Sequence, residues 1–168
     1  MTILADAPRI TPNWRFLLSN PIHLLSFGFG SGLMKKAPGT WGTLVAYPVF
    51  FPLLALGIHG WMLMALCLPL FLIGVYACGV TGRALGVHDY GGIVWDEVVG
   101  MLMVLAFAPA SWPGWMLAFA LFRLFDIVKP WPIRWFDQRV GGGFGVMVDD
   151  VIAALFALAA QAAIWHWL

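Results

Sequence analysis

Charge is what this chain has least of. Only 10% of its 168 residues are Asp, Glu, Lys or Arg, while 62% are hydrophobic and the mean hydropathy is +0.89. A soluble domain carries about 25% charged residues, so this balance excludes one and indicates an integral membrane protein. Neither sign is in surplus: a net charge of +1 leaves no basic surface for nucleic acid. Cysteine is scarce as well. Cys67 and Cys78 both fall in the apolar run WMLMALCLPLFLIGVYACGV, which argues for ordinary packing and against a disulfide framework. The opening MTILADAPRITPNWRF has neither an apolar h-region nor a small-residue cleavage site, so no signal-peptide processing is expected.

Several catalytic signatures are missing too. His23, His59, His88 and His166 are scattered, and no His and Cys cluster suits zinc. Only His88, beside Asp89, lies near other acids, and its role is left open. No Gly-Lys-Ser/Thr completes a Walker A loop. CGVTGR places four residues between Cys78 and Arg83, one short of the cysteine-phosphatase spacing, and no Asp-x-Asp-x-Thr/Val occurs.

What is present is a series of apolar blocks at about 44–58, 61–80, 98–108, 115–128 and 151–168. Only the second and last approach the roughly 20 residues of a full span; the first contains Pro48 and Pro52, and the third is short. The expectation is an all-α, polytopic membrane protein with four to five apolar helices, some of them short or re-entrant. It would form one membrane-embedded domain over residues 1–168, with 1–20 as a polar cytoplasmic segment. All charges fall within residues 6–36, 83–97 and 123–150, whereas the connections LGIHGW and PASWPGW carry none. Alternating spans would put every charge on one side, including Arg9, Arg15, Lys35, Lys36, Arg83 and Lys129, and the positive-inside rule makes that side cytoplasmic. Trp112, Trp115, Trp165 and Trp167 then lie near outer ends, where indole favours the interface.

Against this apolar background the acids are conspicuous. Asp96 and Glu97 open the third block in IVWDEVVGML, and VMVDDVIAAL repeats the pattern with Asp149 and Asp150 at the expected start of the last helix. A single acid suffices to cap a helix or complement its dipole. A second adjacent acid adds repulsion and points about 100° away, so doubled pairs favour a shared cation. In FRLFDIVKPWPIRWFD, Arg123, Asp126 and Lys129 recur every three residues before Pro130 ends the helix. They form either a self-neutralised interfacial triplet or a ligand, Asp126, between phosphate-clamping cations. Arg134 and Asp137 read as a solvated pair on a loop. Carboxylates without His or Cys suit Mg²⁺, or Mn²⁺ or Ca²⁺. The glycine-rich stretch GFGSGLMKKAPGTWGTL, with Lys35, Lys36, Thr40 and Thr43 just before a helix, can cradle a phosphate; VGGGFGVMVDD leads into Asp149.

APGTWGTL, GGIVWDEVVGM, FRLFDIVKPWPIRWFD and GGGFGVMVDDVIAA, in that order, resemble the phosphatidylglycerophosphatase A family, from about residue 20 into the last helix. The resemblance implies a Mg²⁺-dependent phosphatase of the bacterial inner membrane, multi-pass, with its site on the cytoplasmic side. Its substrate would be phosphatidylglycerophosphate and its products phosphatidylglycerol and phosphate. The family's carboxylates fall on Asp96, Glu97, Asp126, Asp149 and Asp150, its lysine on Lys129 and its threonine motif on Thr40 and Thr43. The competing function is a small ion or proton transporter using intramembrane carboxylates, although no internal repeat is seen. A third possibility is structural: Ala153, Ala157, Ala159 and Ala163 could form an association face for a homo-oligomer.

Overall fold

The structure is a computed structural model that describes residues 10–87 and 90–167, so the expectations for Arg9, His88 and Asp89 lie outside the described residues. Every regular element described is helical. Two short helices, α1 (Trp14–Ser19) and α2 (Pro21–Ser26), are each started by an asparagine: the side chain of Asn13 accepts from the Phe16 amide and that of Asn20 from the Ile22 amide. Leu17 of α1 has no exposure, and Phe16 stacks on His23 with ring centroids 4.3 Å apart, so this part of the N-terminal segment is docked rather than free polar chain. A 3-10 segment (Gly28–Leu33) leads into α3 (Pro38–Ala55), α4 (Gly60–Leu85), α5 (Trp95–Leu105), α6 (Trp112–Val128), α7 (Ile133–Arg139) and α8 (Gly142–Trp167).

The five apolar blocks become α3, α4, α5, α6 and α8, and most of these helices begin several residues before the apolar run. Start signals explain two of them: Pro38 sits in the first turn of α3, and Ser111 caps α6 by accepting from the Gly114 amide. Two helices, α4 and α8, are long and apolar enough to cross a bilayer. At 26 residues each they extend about 39 Å, against a hydrocarbon core of about 30 Å. Helix α5, with 11 residues and about 16 Å, is too short to span. It is hydrophobic nearly all round, and it is accordingly buried, packed by α3, α4, α6 and α8.

Glycines let the long helices close around α5. A Cβ at Gly100 would meet the Phe122 ring and the Asp150 carbonyl, one at Gly74 would meet Met147 and Trp95, and one at Gly143 would meet the Val75 backbone. The indole of Trp95 donates to the Leu70 carbonyl at 3.2 Å, fixing the start of α5 partway along α4.

The other end of α5 meets the start of α4, where the Gly60 amide donates to the Ala106 carbonyl at 2.8 Å and Trp61 packs on Phe107. The two uncharged connections therefore meet at one end of the bundle. The charged chain segments lie toward the other end, where Arg123 meets Asp126 and Glu97, and Lys129 meets Asp137 and Asp149.

Two expectations change. Asp149 and Asp150 are not at a helix start: α8 begins at Gly142, so they lie about 10 Å along it and cannot be N-terminal caps. Asp96 and Glu97 do occupy the first turn of α5, but because α5 is short they are recessed below the ends of α4 and α8 rather than at the rim. The alanine face is also divided. Ala153 and Ala157 are buried inside this chain, whereas Ala159 and Ala163 are exposed.

Candidate active site

The first turn of α5 and the third turn of α8 bring three carboxylates together. One oxygen from each of Asp96, Glu97 and Asp150 lies within 4.8 Å of the others. Asp96 Oδ1, Glu97 Oε2 and Asp150 Oδ2 are shut off from solvent without a hydrogen-bond partner. Buried carboxylate oxygens left this way are costly, and anions packed so closely repel one another unless a cation lies among them.

Arg123 forms one wall. Its Nη1 donates to Asp126 Oδ2 at 2.5 Å and to Thr43 Oγ1 at 3.3 Å, and lies 3.9 Å from Glu97 Oε1. The guanidinium thus ties α3, α5 and α6 to one point. Thr43 in turn donates to the Gly39 carbonyl at 2.8 Å. Gly39 is required by proximity: a Cβ there would run into Glu97 Oε1 and approach Arg123 Nη1. Asp126 also reaches Glu97 and Asp150, linking this pair to the triad.

Lys129 forms the other wall. It ends α6 in the left-handed conformation (φ 45°, ψ 60°), unusual for a residue with a side chain and a cost of about 1 kcal/mol or more. In that position Nζ lies 2.6 Å from Asp149 Oδ2 and 2.5 Å from Asp137 Oδ1. Burial by itself would lower the Lys129 pKa, but the Asp149 and Asp137 carboxylates outweigh it and hold the ammonium above the ordinary lysine range.

The expected set of five acids is therefore distributed. Asp96, Glu97 and Asp150 converge; Asp126 joins them through Arg123; Asp149, one residue from Asp150, turns the other way to Lys129. Thr43 is engaged in holding Arg123, which leaves its hydroxyl committed. Thr40 lies half-buried in the first turn of α3, and Lys35 and Lys36 are exposed. Asp137 corrects the sequence reading: it lies in α7, not on a loop, and pairs with Lys129 rather than Arg134. Its only sequence signal was an acid following the KPWP turn, because the pairing closes across Pro130 and Pro132 and follows no helical period.

Hard oxygen donors suit Mg²⁺, and the partnerless oxygens of the triad fit such an ion. With all five acids ionised, Asp96, Glu97, Asp126, Asp149 and Asp150 against Arg123 and Lys129 leave three negative charges in excess, which a divalent cation would reduce.

Fold and site together define an all-helical, membrane-associated protein with an acidic buried centre flanked by two fixed cations. The family model for phosphatidylglycerophosphatase A matches residues 24–165. A Haemophilus influenzae protein named phosphatidylglycerophosphatase A is 51% identical over 160 residues, covering 94% of this chain and 96% of its own. An Escherichia coli protein of the same name is 45% identical over 159 residues, covering 94% and 90%. A Bacteroides thetaiotaomicron protein, provisionally named a phosphatidylinositol-3-phosphatase, is 37% identical over 140 residues, covering 80% and 87%. No solved structure matches. The chain belongs to the phosphatidylglycerophosphatase A family. It is accordingly an enzyme, a phosphatase of phospholipid metabolism.

Proposed function

We propose that this protein hydrolyses phosphatidylglycerophosphate to phosphatidylglycerol and phosphate, using Mg²⁺ held by Asp96, Glu97 and Asp150, with Asp126 and Asp149 fixing the flanking cations. The observation that carries the reading is the convergence of three carboxylates, each with a buried partnerless oxygen, beside Arg123, with Lys129 on the neighbouring Asp149. Bound there, Mg²⁺ would supply Lewis acidity at the phosphoryl group. Arg123 and Lys129 offset charge on the phosphoryl oxygens, each held in place beforehand by its carboxylate. A water oxygen forms the new bond to phosphorus as the bond from phosphorus to the glycerol oxygen breaks. A carboxylate of the cluster takes the water's proton and passes it to the glycerol oxygen, which leaves as the alcohol. The second, diester phosphate of the headgroup stays intact.

The lipid substrate and the bilayer are the partners of this reading; nucleic acid has no part in it. We infer a multi-pass protein of the bacterial inner membrane, with four to five of α3, α4, α5, α6 and α8 entering the bilayer and the acidic site toward the cytoplasm, because the cationic chain segments lie at that end. Neither close relative is named for transport, so the transporter alternative gains nothing from the comparisons. The test is phosphate release from phosphatidylglycerophosphate in detergent, with and without Mg²⁺, beside glycerol phosphate as a soluble monoester. Rapid release from the lipid alone supports the proposal. Equal rates on both would remove lipid selectivity, and no release from either would remove phosphatase activity.

A further inference from the structure

The acids are recessed, so a ligand must reach them from the charged end of the bundle. A cleft of about 310 Å³ opens there between the end of α4 and the start of α8, lined by Cys78, Gly79, Gly82, Arg83, Gly86, Val87, Gly142 and Gly143. Its inner wall is Cys78, one helical turn beyond Gly74, where a Cβ would meet Trp95, the residue before Asp96. Its outer wall carries Arg83, five residues and about 7.5 Å further along α4. Five of the eight lining residues are glycines, so the space comes from missing side chains and brings backbone close to whatever enters. Arg83 differs from Arg123 and Lys129 in having no ion pair among the described residues. It is exposed, and its guanidinium turns back along α4 to within 3.5 Å of where a Gly79 Cβ would stand. The start of α8 on the opposite wall adds partial positive charge of the same sense.

Resting on the proposed activity, we infer that this cleft is the subsite for the internal phosphodiester of the lipid headgroup, with Arg83 as its specificity-determining residue. The headgroup carries two phosphates separated by a glycerol bridge. With the terminal monoester at Asp96, Glu97 and Asp150, the bridge runs past Cys78 and the diester meets Arg83. A guanidinium matches its two free oxygens through paired N–H groups. The exposed residues Leu72, Ile73 and Tyr76, two to three turns back from Arg83 along α4, offer the acyl chains an apolar path into the bilayer. Arg83 thereby distinguishes a lipid that has a diester from one whose monoester sits directly on diacylglycerol.

The experiment compares phosphatidylglycerophosphate with phosphatidate, which lacks the diester, in wild type, Arg83→Ala and Arg83→Lys. For Arg83→Ala we expect KM for phosphatidylglycerophosphate to rise about tenfold or more with kcat nearly unchanged, and KM for phosphatidate to stay the same. Arg83→Lys recovers part of the loss. An unchanged KM for phosphatidylglycerophosphate, or an equal rise on both lipids, overturns the subsite. Arg83 is exposed, so an unchanged melting temperature is expected to accompany the kinetic change. A binding measurement separates this inference from the activity on which it rests: thermal-shift titration with phosphatidylglycerol, using diacylglycerol as the phosphate-free control. Wild type without phosphate release removes the hydrolytic proposal. The diester subsite then stands if phosphatidylglycerol stabilises wild type more than Arg83→Ala, and falls if the two respond alike.

Discussion

The two ends of the bundle are made from the same helices and differ almost entirely in charge. At one end α3 turns into α4 and α5 turns toward α6 around the Gly60 to Ala106 hydrogen bond. A cavity of about 230 Å³ there is lined by Phe50, Leu54, His59, Leu105, Ala106, Ala108 and Ala110. None of these is a carboxylate or a permanent cation. At the other end six carboxylates, Arg123 and Lys129 are drawn together. Hollow space alone therefore does not mark a site in this molecule. The mark is desolvated charge with a network around it, since isolated charges in such surroundings are too costly to retain.

The largest contrast is expected from amide replacements. Asp96→Asn and Asp150→Asn keep side-chain size but remove ligand charge, and should each lower phosphate release by about a hundredfold or more. His59→Ala, at the uncharged end, should leave the rate unchanged. Comparable losses at both ends would make charge incidental.

Removing divalent metal comes next. Chelation should abolish release and lower the melting temperature of the wild type, since a ligand bound only by the folded state stabilises it, and added Mg²⁺ should restore both. The same treatment of Asp150→Asn should move its melting temperature much less. Equal shifts in the two proteins would place the metal elsewhere.

Smaller effects separate the two cationic walls. Lys129→Ala removes the ammonium shared by Asp149 and Asp137 and should cost at least tenfold in kcat/KM. Asp137→Asn leaves Lys129 its pair with the more buried Asp149 and should cost only a few-fold. A larger loss for Asp137→Asn than for Lys129→Ala would reverse that order. Gly39→Ala should fall between these, because its Cβ must displace Glu97, at about 1–3 kcal/mol. Gly91→Ala, with no atom of the described residues within 4 Å of its Cβ, should have no effect on rate or melting temperature.

Much of this architecture was legible in the residues. Long apolar runs can only be helices where no water satisfies the backbone, so the blocks predicted α3 to α6 and α8. Charge placement predicted which connections share an end, because that segregation follows from the order of charges along an alternating chain. The acids of the site were legible for the same reason: in a chain so poor in charge, a doubled carboxylate has few bland explanations.

Side-chain direction and depth were decided by packing. Asp149 and Asp150 are neighbours in sequence, yet the helical turn sends one to Lys129 and the other to Asp96 and Glu97. Gly39, Thr43 and Asp137 join the site through contacts between helices that no local period records. The recess of Asp96 and Glu97 depends on α5 being held by Trp95 against Leu70, and the cleft at Arg83 exists only because the glycines of α4 and α8 face each other. Composition and spacing act along the chain and could fix which runs become helices and the acid inventory. Which oxygens converge, and at what depth, required the close packing of separate helices.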